Sequence, residues 1–201
     1  MQDAVTKRDS VTLALVQSFK SSLGTLSDDD IEINVEKGVV YVSISDKLLF
    51  NSGSFTVTTR AKKVLEKIAK VISDKPDLEF MVEGHTDNML IDQEKAAETI
   101  PGVLDNWDLS VKRATSVVRI LQNDYGVDPT KLVAAGRSFY MPIADNDSSV
   151  SRAVNRRTRI IVLPKLDQFT KLIEEGMSMN VPATGPSNTI SSDNKLSLIH
   201  I

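Results

Sequence analysis

The stretch Thr158-Arg159-Ile160-Ile161-Val162-Leu163 constrains this chain more than any other. Successive side chains of a strand point to opposite faces, and here apolar groups fall on both. A strand so composed is stable only inside a sheet, so it is expected to be central and covered by helices. The rest of the sequence supplies the cover. Ala61, Val64, Leu65, Ile68, Ala69 and Ile72 recur at helical spacing with Lys and Glu between them, an amphipathic helix that Asp74-Lys75-Pro76 stops. A second helix carries Val111, Ala114, Val117, Val118 and Leu121 inward, with Asp108 as its expected N-cap and Tyr125-Gly126 as its end.

Strand signals alternate with these helices. Ile31, Ile33 and Val35 alternate with polar residues, Lys37-Gly38 turns the chain, and Val40, Val42 and Ile44 return on one face, a hairpin pattern. Leu78, Phe80 and Val82 form a strand closed by Gly84, and Leu132 to Ala135 a shorter one. Gln93 to Thr99 is helix-prone, and residues 137–155 read as a polar loop. The fold class that follows is α/β, a two-layer sandwich of βαβ units. Ahead of it, Val11, Leu15, Phe19 and Leu23 make one apolar stripe on a helix from Asp9 to Leu26, capped by Asp9 or Ser10. It either packs on the domain or is the remnant of a spacer coiled coil, which leaves a homo-oligomer open. Behind it, Leu166 to Glu175 reads as a terminal helix. From Met177 onward Ser, Asn, Pro, Thr and Gly dominate, so a disordered tail is expected. Its apolar end, residues 196–201, reads as translated adapter sequence. The expected divisions are therefore 1–27, 28–176 and 177–201.

Composition narrows the function. Among 201 residues the net charge is −3, which argues against a nucleic-acid binder. No cysteine is present, so disulfides, thiol catalysis and cysteine-ligated zinc are excluded. Only two histidines occur, His85 and His200, so no two-histidine metal site or cofactor is expected. His85 lacks a nucleophile motif around it, and no glycine-rich phosphate loop appears. No apolar run approaches the ~20 residues of a membrane span. The apolar stretch near Val11 is too short, and too interrupted, for a signal peptide.

The chemistry concentrates in two segments. Gly84-His85-Thr86-Asp87-Asn88 puts a carboxylate just past a strand, and Asn106-Trp107-Asp108-Leu109-Ser110-Val111-Lys112-Arg113-Ala114 puts a guanidinium early in a helix. Gly136-Arg137, Pro142, Asn146 and Asn155-Arg156-Arg157-Thr158 follow in order. This series resembles the OmpA C-terminal-like domain, the peptidoglycan-binding module shared by OmpA, Pal and MotB proteins, over roughly residues 40 to 165. The resemblance implies a βαβαβ sandwich with helices on one sheet face. It also implies a non-catalytic module that holds the cell wall through diaminopimelate of the stem peptide.

In that family the positions of Asp87 and Arg113 form the ligand clamp. Diaminopimelate carries an ammonium and a carboxylate on one carbon; Asp87 would accept from the first and Arg113 would grip the second with parallel N–H···O bonds. Alternatively, Asp87 and Arg113 pair with each other. Thr86, Asn106 and Leu109 match positions beside the clamp, where they orient ligand or merely cap and pack. Phe50 and Asn51 correspond more weakly to a pocket rim. Arg152, Arg156, Arg157 and Arg159 form a basic cluster: either Arg156 or Arg157 reaches an anionic part of the wall, or all are solvated or paired with surface acids. The resemblance makes one of the adjacent pair largely structural, and Arg156 is taken as the one that reaches ligand. Trp107 stacks on a sugar or anchors the helix start.

One departure stands out. Between Asp87 and Arg113 lie 25 residues, more than compact members carry, so Met89 to Leu104 is an insertion that covers the pocket, contacts glycan or contacts a protein. The resemblance further implies a periplasm-facing, outer-membrane-associated envelope location, with membrane attachment only through a region N-terminal to this chain. Without cysteine, a Pal-type lipid anchor is not encoded here. The alternatives are the wall-anchoring domain of a MotB-type stator and, less favoured, a wall hydrolase.

Overall fold

The computed structural model describes residues 2–24, 30–51 and 53–164. In chain order the elements are α1 (Gln2–Leu23), β1 (Ile31–Glu36), β2 (Val39–Ser45), α2 (Asp46–Leu49), α3 (Thr59–Ser73), β3 (Leu78–His85), α4 (Gln93–Thr99), α5 (Asn106–Asn123), β4 (Leu132–Gly136), α6 (Ser149–Asn155) and β5 (Arg157–Pro164). The expected terminal helix at 166–175 and the tail lie outside the described residues.

The five strands form one sheet in the order β1-β2-β5-β3-β4, and only the β3–β4 pair is parallel. The apolar strand β5 is thus central, as its composition required. Thr158, Ile160 and Val162 stand on one face, in register with Ile44, Val42 and Phe80 respectively, and all are buried. Helices α1, α3 and α5 pack on that face. On the other face Ile161 is also buried, flanked in register by Tyr41 and Met81. The β1–β2 hairpin closes through Lys37 and Gly38, at φ 52° and 78°. Two positive φ values in succession match the twist of the flanking strands, and glycine takes the second without strain.

Helix α3 begins where the Thr58 hydroxyl accepts from the Ala61 N–H. Its buried side chains include the six read from sequence, each contributing about 1.5–3 kcal/mol for the larger aliphatics. In α1, Leu15, Phe19 and Leu23 join this same core, whereas Val11 is exposed. The helix begins at Gln2, not at Asp9 or Ser10, because nothing in residues 2–8 breaks it. Helix α5 starts one turn earlier than expected. Asp105 caps it, accepting from Trp107 and Asp108 N–H, while Asp108 reaches back to the Leu104 N–H. Helices α2 and α6 are additions to the elements expected, α6 lying within the polar 137–155 stretch.

Two glycines set how closely α5 approaches the sheet. Gly84 and Gly136 are register partners on β3 and β4, and a Cβ on either would strike Ser110 of α5. The Ser110 hydroxyl also accepts from the Ser138 N–H at 3.1 Å. This close seat fixes the height of Arg113, one turn further along α5, above the ends of β2 and β3.

Candidate ligand cleft

At that end of the sheet lies a cleft of about 1260 Å³, bordered by α2, the loop after β3, α5 and α6. All eight residues singled out by sequence line it: Phe50, Asn51, Thr86, Asp87, Asn106, Leu109, Arg113 and Arg156. Asp87 and Arg113 are not paired with each other. Arg113 contacts Asp46 at 2.8 Å (Nη1 to Oδ1), and Asp87 contacts Arg156 at 2.6 Å (Oδ2 to Nη1). Around Asp87 and Arg113 the charges therefore alternate in sign, and a further pair, Lys47 with Asp30 at 3.2 Å, also lines the cleft.

Their environments differ. The Arg113 side chain is only 4% exposed, and its Nε donates to the Ser54 carbonyl at 3.1 Å. The Phe50 ring lies 5.1 Å from the guanidinium carbon, so this aromatic is buried beside the arginine and not out at a rim. Burial lowers the pKa of Arg113 and raises that of Asp46, and in each case the partner's charge opposes the shift. The Nη1–Nη2 edge of Arg113 retains hydrogens beyond the one aimed at Asp46, enough for a carboxylate. Arg156 is looser, with its side chain 35% exposed. Asp87 is held in aim by the Met89 N–H, which donates to its other oxygen at 3.1 Å.

The flanking residues divide between support and opportunity. Asn106 donates to the Met89 carbonyl at 2.9 Å, tying the insertion to the head of α5. Leu109 both walls the cleft and packs with Ala96, Ile100 and Val103, a small second core that pins α4 down. The Thr86 N–H donates to the Ser138 carbonyl, while its buried hydroxyl has no hydrogen-bond partner among the described residues. The insertion thus forms a wall of the cleft, through Met89 and Ile91.

The three consecutive residues Asn155, Arg156 and Arg157 have separate tasks. Asn155 is fully buried, accepting from the Ile143 and Ala144 N–H groups and donating to Ala144 O and Asn146 Oδ1. Arg157 is buried on the carbonyls of Asn155 and Met141, and burial brings its pKa down to about 10. Only Arg156 reaches Asp87. The other arginines of the basic cluster disperse, Arg152 to the Asn146 carbonyl and Arg159 over the Tyr41 ring.

His85 stands behind the cleft and holds its own strand. Its Nε2 meets Glu83 at 3.0 Å, and Glu83 also takes Arg137 at 2.7 Å. Burial lowers the His85 pKa against the pull of Glu83. Burial would raise Glu83, but hydrogen bonds from His85 and Arg137 outweigh it and bring the carboxyl to about 2.

Sequence reading missed Asp46. It is the first residue of a one-turn helix, and nothing local marks it; only the fold brings it beneath Arg113. Among the described residues no group of His, Cys, Asp and Glu could hold a metal ion.

Known proteins share this architecture. Residues 49–156 match the OmpA family. Motility protein B of Bacillus subtilis is 27% identical over 138 residues, 69% of this chain and 50% of its own length. Outer membrane protein Omp38 of Acinetobacter baumannii is 31% identical over 137 residues, 68% of this chain and 35% of its own length. The chain thus spans half or less of these relatives. Among solved structures, the cell wall anchor of the T6SS from Pseudomonas aeruginosa superposes with a TM-score of 0.61 at 29% identity, covering 73% of this chain and 97% of that one. The periplasmic domain of Helicobacter pylori MotB gives 0.63 at 25% identity, covering 76% and 93%. With a family match over more than half its length, the chain belongs to the OmpA family.

Proposed function

We propose that this chain is a non-catalytic, periplasm-facing module that binds peptidoglycan, and that the cleft takes the diaminopimelate end of a stem peptide. The observation that carries the reading is the convergence of Asp87 and Arg113 on one cleft with opposite charges, each held by a partner of its own. An α-ammonium carboxylate matches that arrangement. Its ammonium takes the place of Arg156 at Asp87, and its carboxylate meets the outer edge of Arg113. The likeness to a cell wall anchor supports the same reading. A single site is weak, because charges on both sides shed water before pairing, and tethering comes from many copies along one polymer.

The test is co-sedimentation with purified sacculi, backed by NMR titration with diaminopimelate- and lysine-containing muropeptides. Asp87→Ala is expected to lose binding and keep its fold, and resonances of Gly84–Asn88 and Leu109–Ala114 should shift only with diaminopimelate. An Asp87→Ala protein that pellets as well as the wild type would falsify the site.

A second reading is favoured by the Motility protein B relatives: the same wall site serving to anchor a motor stator. It requires a membrane-spanning helix with an acidic residue ahead of this domain. Among the described residues no helix is long and apolar enough to cross a membrane. Deleting the full-length gene separates the two, since loss of motility with an intact envelope favours the stator and the converse favours a general tether.

A further inference from the structure

Beside the cleft lies a second concavity of about 360 Å³, and the two share Ile91 and Asn106 in their walls. Its chemistry is different. The cleft carries several ion pairs; the concavity has one charged residue, Asp105, whose Oδ1 caps α5 by accepting from the Trp107 and Asp108 N–H groups. An anionic ligand therefore finds no counter-charge there. What the concavity offers is an aromatic wall and a few neutral polar groups. Tyr140 lies between two rings, stacked on Phe139 at 4.5 Å and tilted against Trp107 at 5.6 Å. Trp107 and Tyr140 nevertheless remain 47% and 61% exposed. Leu90 and Leu104 are exposed at the same rim.

Ser138 adds an independent observation. It lines the concavity in the left-handed region, at φ 52°, a conformation that costs a non-glycine residue energy. Its backbone is fully used, the N–H donating to Ser110 and the carbonyl accepting from Thr86. Its hydroxyl is buried and has no hydrogen-bond partner among the described residues. A buried hydroxyl left unpaired is unfavourable unless something else completes it.

We infer that this concavity is a saccharide subsite, taking an N-acetylated pyranose of the wall's glycan strand. The inference rests on the reading of the cleft as the stem-peptide site, because the peptide is covalently joined to that glycan and the two concavities adjoin. A pyranose has an apolar C–H face that lies on an aromatic ring, and hydroxyl and amide groups around its edge. Trp107 and Tyr140 meet the face; Ser138, Gln93 and Asn106 lie where the edge falls. The insertion that separates Asp87 from Arg113 supplies Leu90, Ile91, Gln93 and Leu104 to this site, which gives the extra segment a task. An uncharged ring with one apolar face fits these groups better than a charged peptide does.

Trp107 is the only tryptophan in the chain, so its emission reports on the site directly. The experiment titrates the whole chain with chitotetraose, a peptide-free N-acetylated glycan, and separately with a free diaminopimelate-containing stem peptide. Chitotetraose is expected to shift and quench the Trp107 emission saturably. Tyr140→Ala should weaken that response about tenfold, Tyr140→Phe should restore it, and Asp87→Ala should leave it unchanged. The stem peptide should show the reverse dependence, lost in Asp87→Ala and kept in Tyr140→Ala. No emission change with chitotetraose, or an undiminished one in Tyr140→Ala, overturns the subsite; if the stem peptide still binds, the cleft reading survives that result. Emission that tracks protein concentration and ignores the sugar overturns it too, in favour of a protein contact. Failure of the stem peptide itself removes the reading on which the subsite rests.

Discussion

Replacing Asp46 with Asn tests whether the cleft's floor depends on a buried ion pair that no local sequence signal announces. The change preserves shape and removes one negative charge. Arg113 keeps the Ser54 carbonyl and the Phe50 ring but loses its counter-ion, 2.8 Å away, while its own side chain is 4% exposed. Leaving one member of a buried pair unmatched costs about 3–5 kcal/mol. The amide oxygen of Asn still accepts from Nη1, so the low end applies, about 3 kcal/mol. For a domain of this size that lowers Tm by roughly 6–12 °C. The comparison is Arg156→Gln, which breaks the other pair. Its arginine is 35% exposed, and Asp87 keeps the Met89 N–H. Pairs open to water to that degree contribute about 1 kcal/mol or less, so Tm should fall by no more than roughly 4 °C. Urea and thermal unfolding followed by circular dichroism at neutral pH give both values. If Asp46→Asn costs no more than Arg156→Gln, the claim that burial ranks these pairs is wrong.

Gly84→Ala should destabilise by about 3 kcal/mol or more, or yield insoluble protein, since its methyl would collide with the Ser110 backbone and lift α5 off the sheet; a soluble variant unfolding with the wild type would refute the close seat. Glu83 has a folded pKa of about 2 against an ordinary 4.5. Because the unfolded chain takes up this proton first, the stabilisation is full above pH 4.5 and is lost as pH falls toward 2, an effect of roughly 3 kcal/mol. Glu83→Gln should therefore flatten the acid limb of a stability–pH curve measured by urea midpoints, and an unchanged limb would assign the acid sensitivity elsewhere.

Much of this was legible because periodicity reports burial. Ile160, Ile161 and Val162 required cover on both faces of β5, and the spacing from Ala61 to Ile72 required a helix packed on a core. The order of motif residues carried all eight candidates to one cleft, since they sit at element ends that the sheet aligns. What stayed hidden was long-range or degenerate. Asp46 matters only because Gly84 and Gly136 let α5 settle until Arg113 meets it, a consequence of contacts far apart in sequence. Asp105 and Asp108 are both cap-forming and serve each other's turn, so composition could not choose between them. Helix α6 is two turns of serine, valine and arginine, too short for a period to emerge. Arg156 and Arg157 are neighbours of identical chemistry, and the start of β5 decides which one is buried against carbonyls and which faces Asp87.

The pairing inside the free cleft also governs how it would choose among ligands. On the proposed reading, an ammonium would take the place of Arg156 at Asp87, now a contact of 2.6 Å, so binding would be an exchange of one ion pair for another. A lysine-type side chain gains nothing beyond that exchange. On that reading, a diaminopimelate end would add a carboxylate, which would meet the outer edge of Arg113 and also draw the displaced Arg156. Discrimination would then come from a penalty on the simple amine as much as from attraction to the zwitterion. Arg156→Gln removes the competitor that imposes the penalty. It should tighten binding of a lysine-containing muropeptide and narrow its gap from the diaminopimelate form by roughly fivefold, the worth of a half-exposed pair. Isothermal titration of both fragments against wild type and variant measures that ratio. An unchanged ratio, or equal weakening of both ligands, would mean that Arg156 is a contact for ligand and not the occupant it must replace.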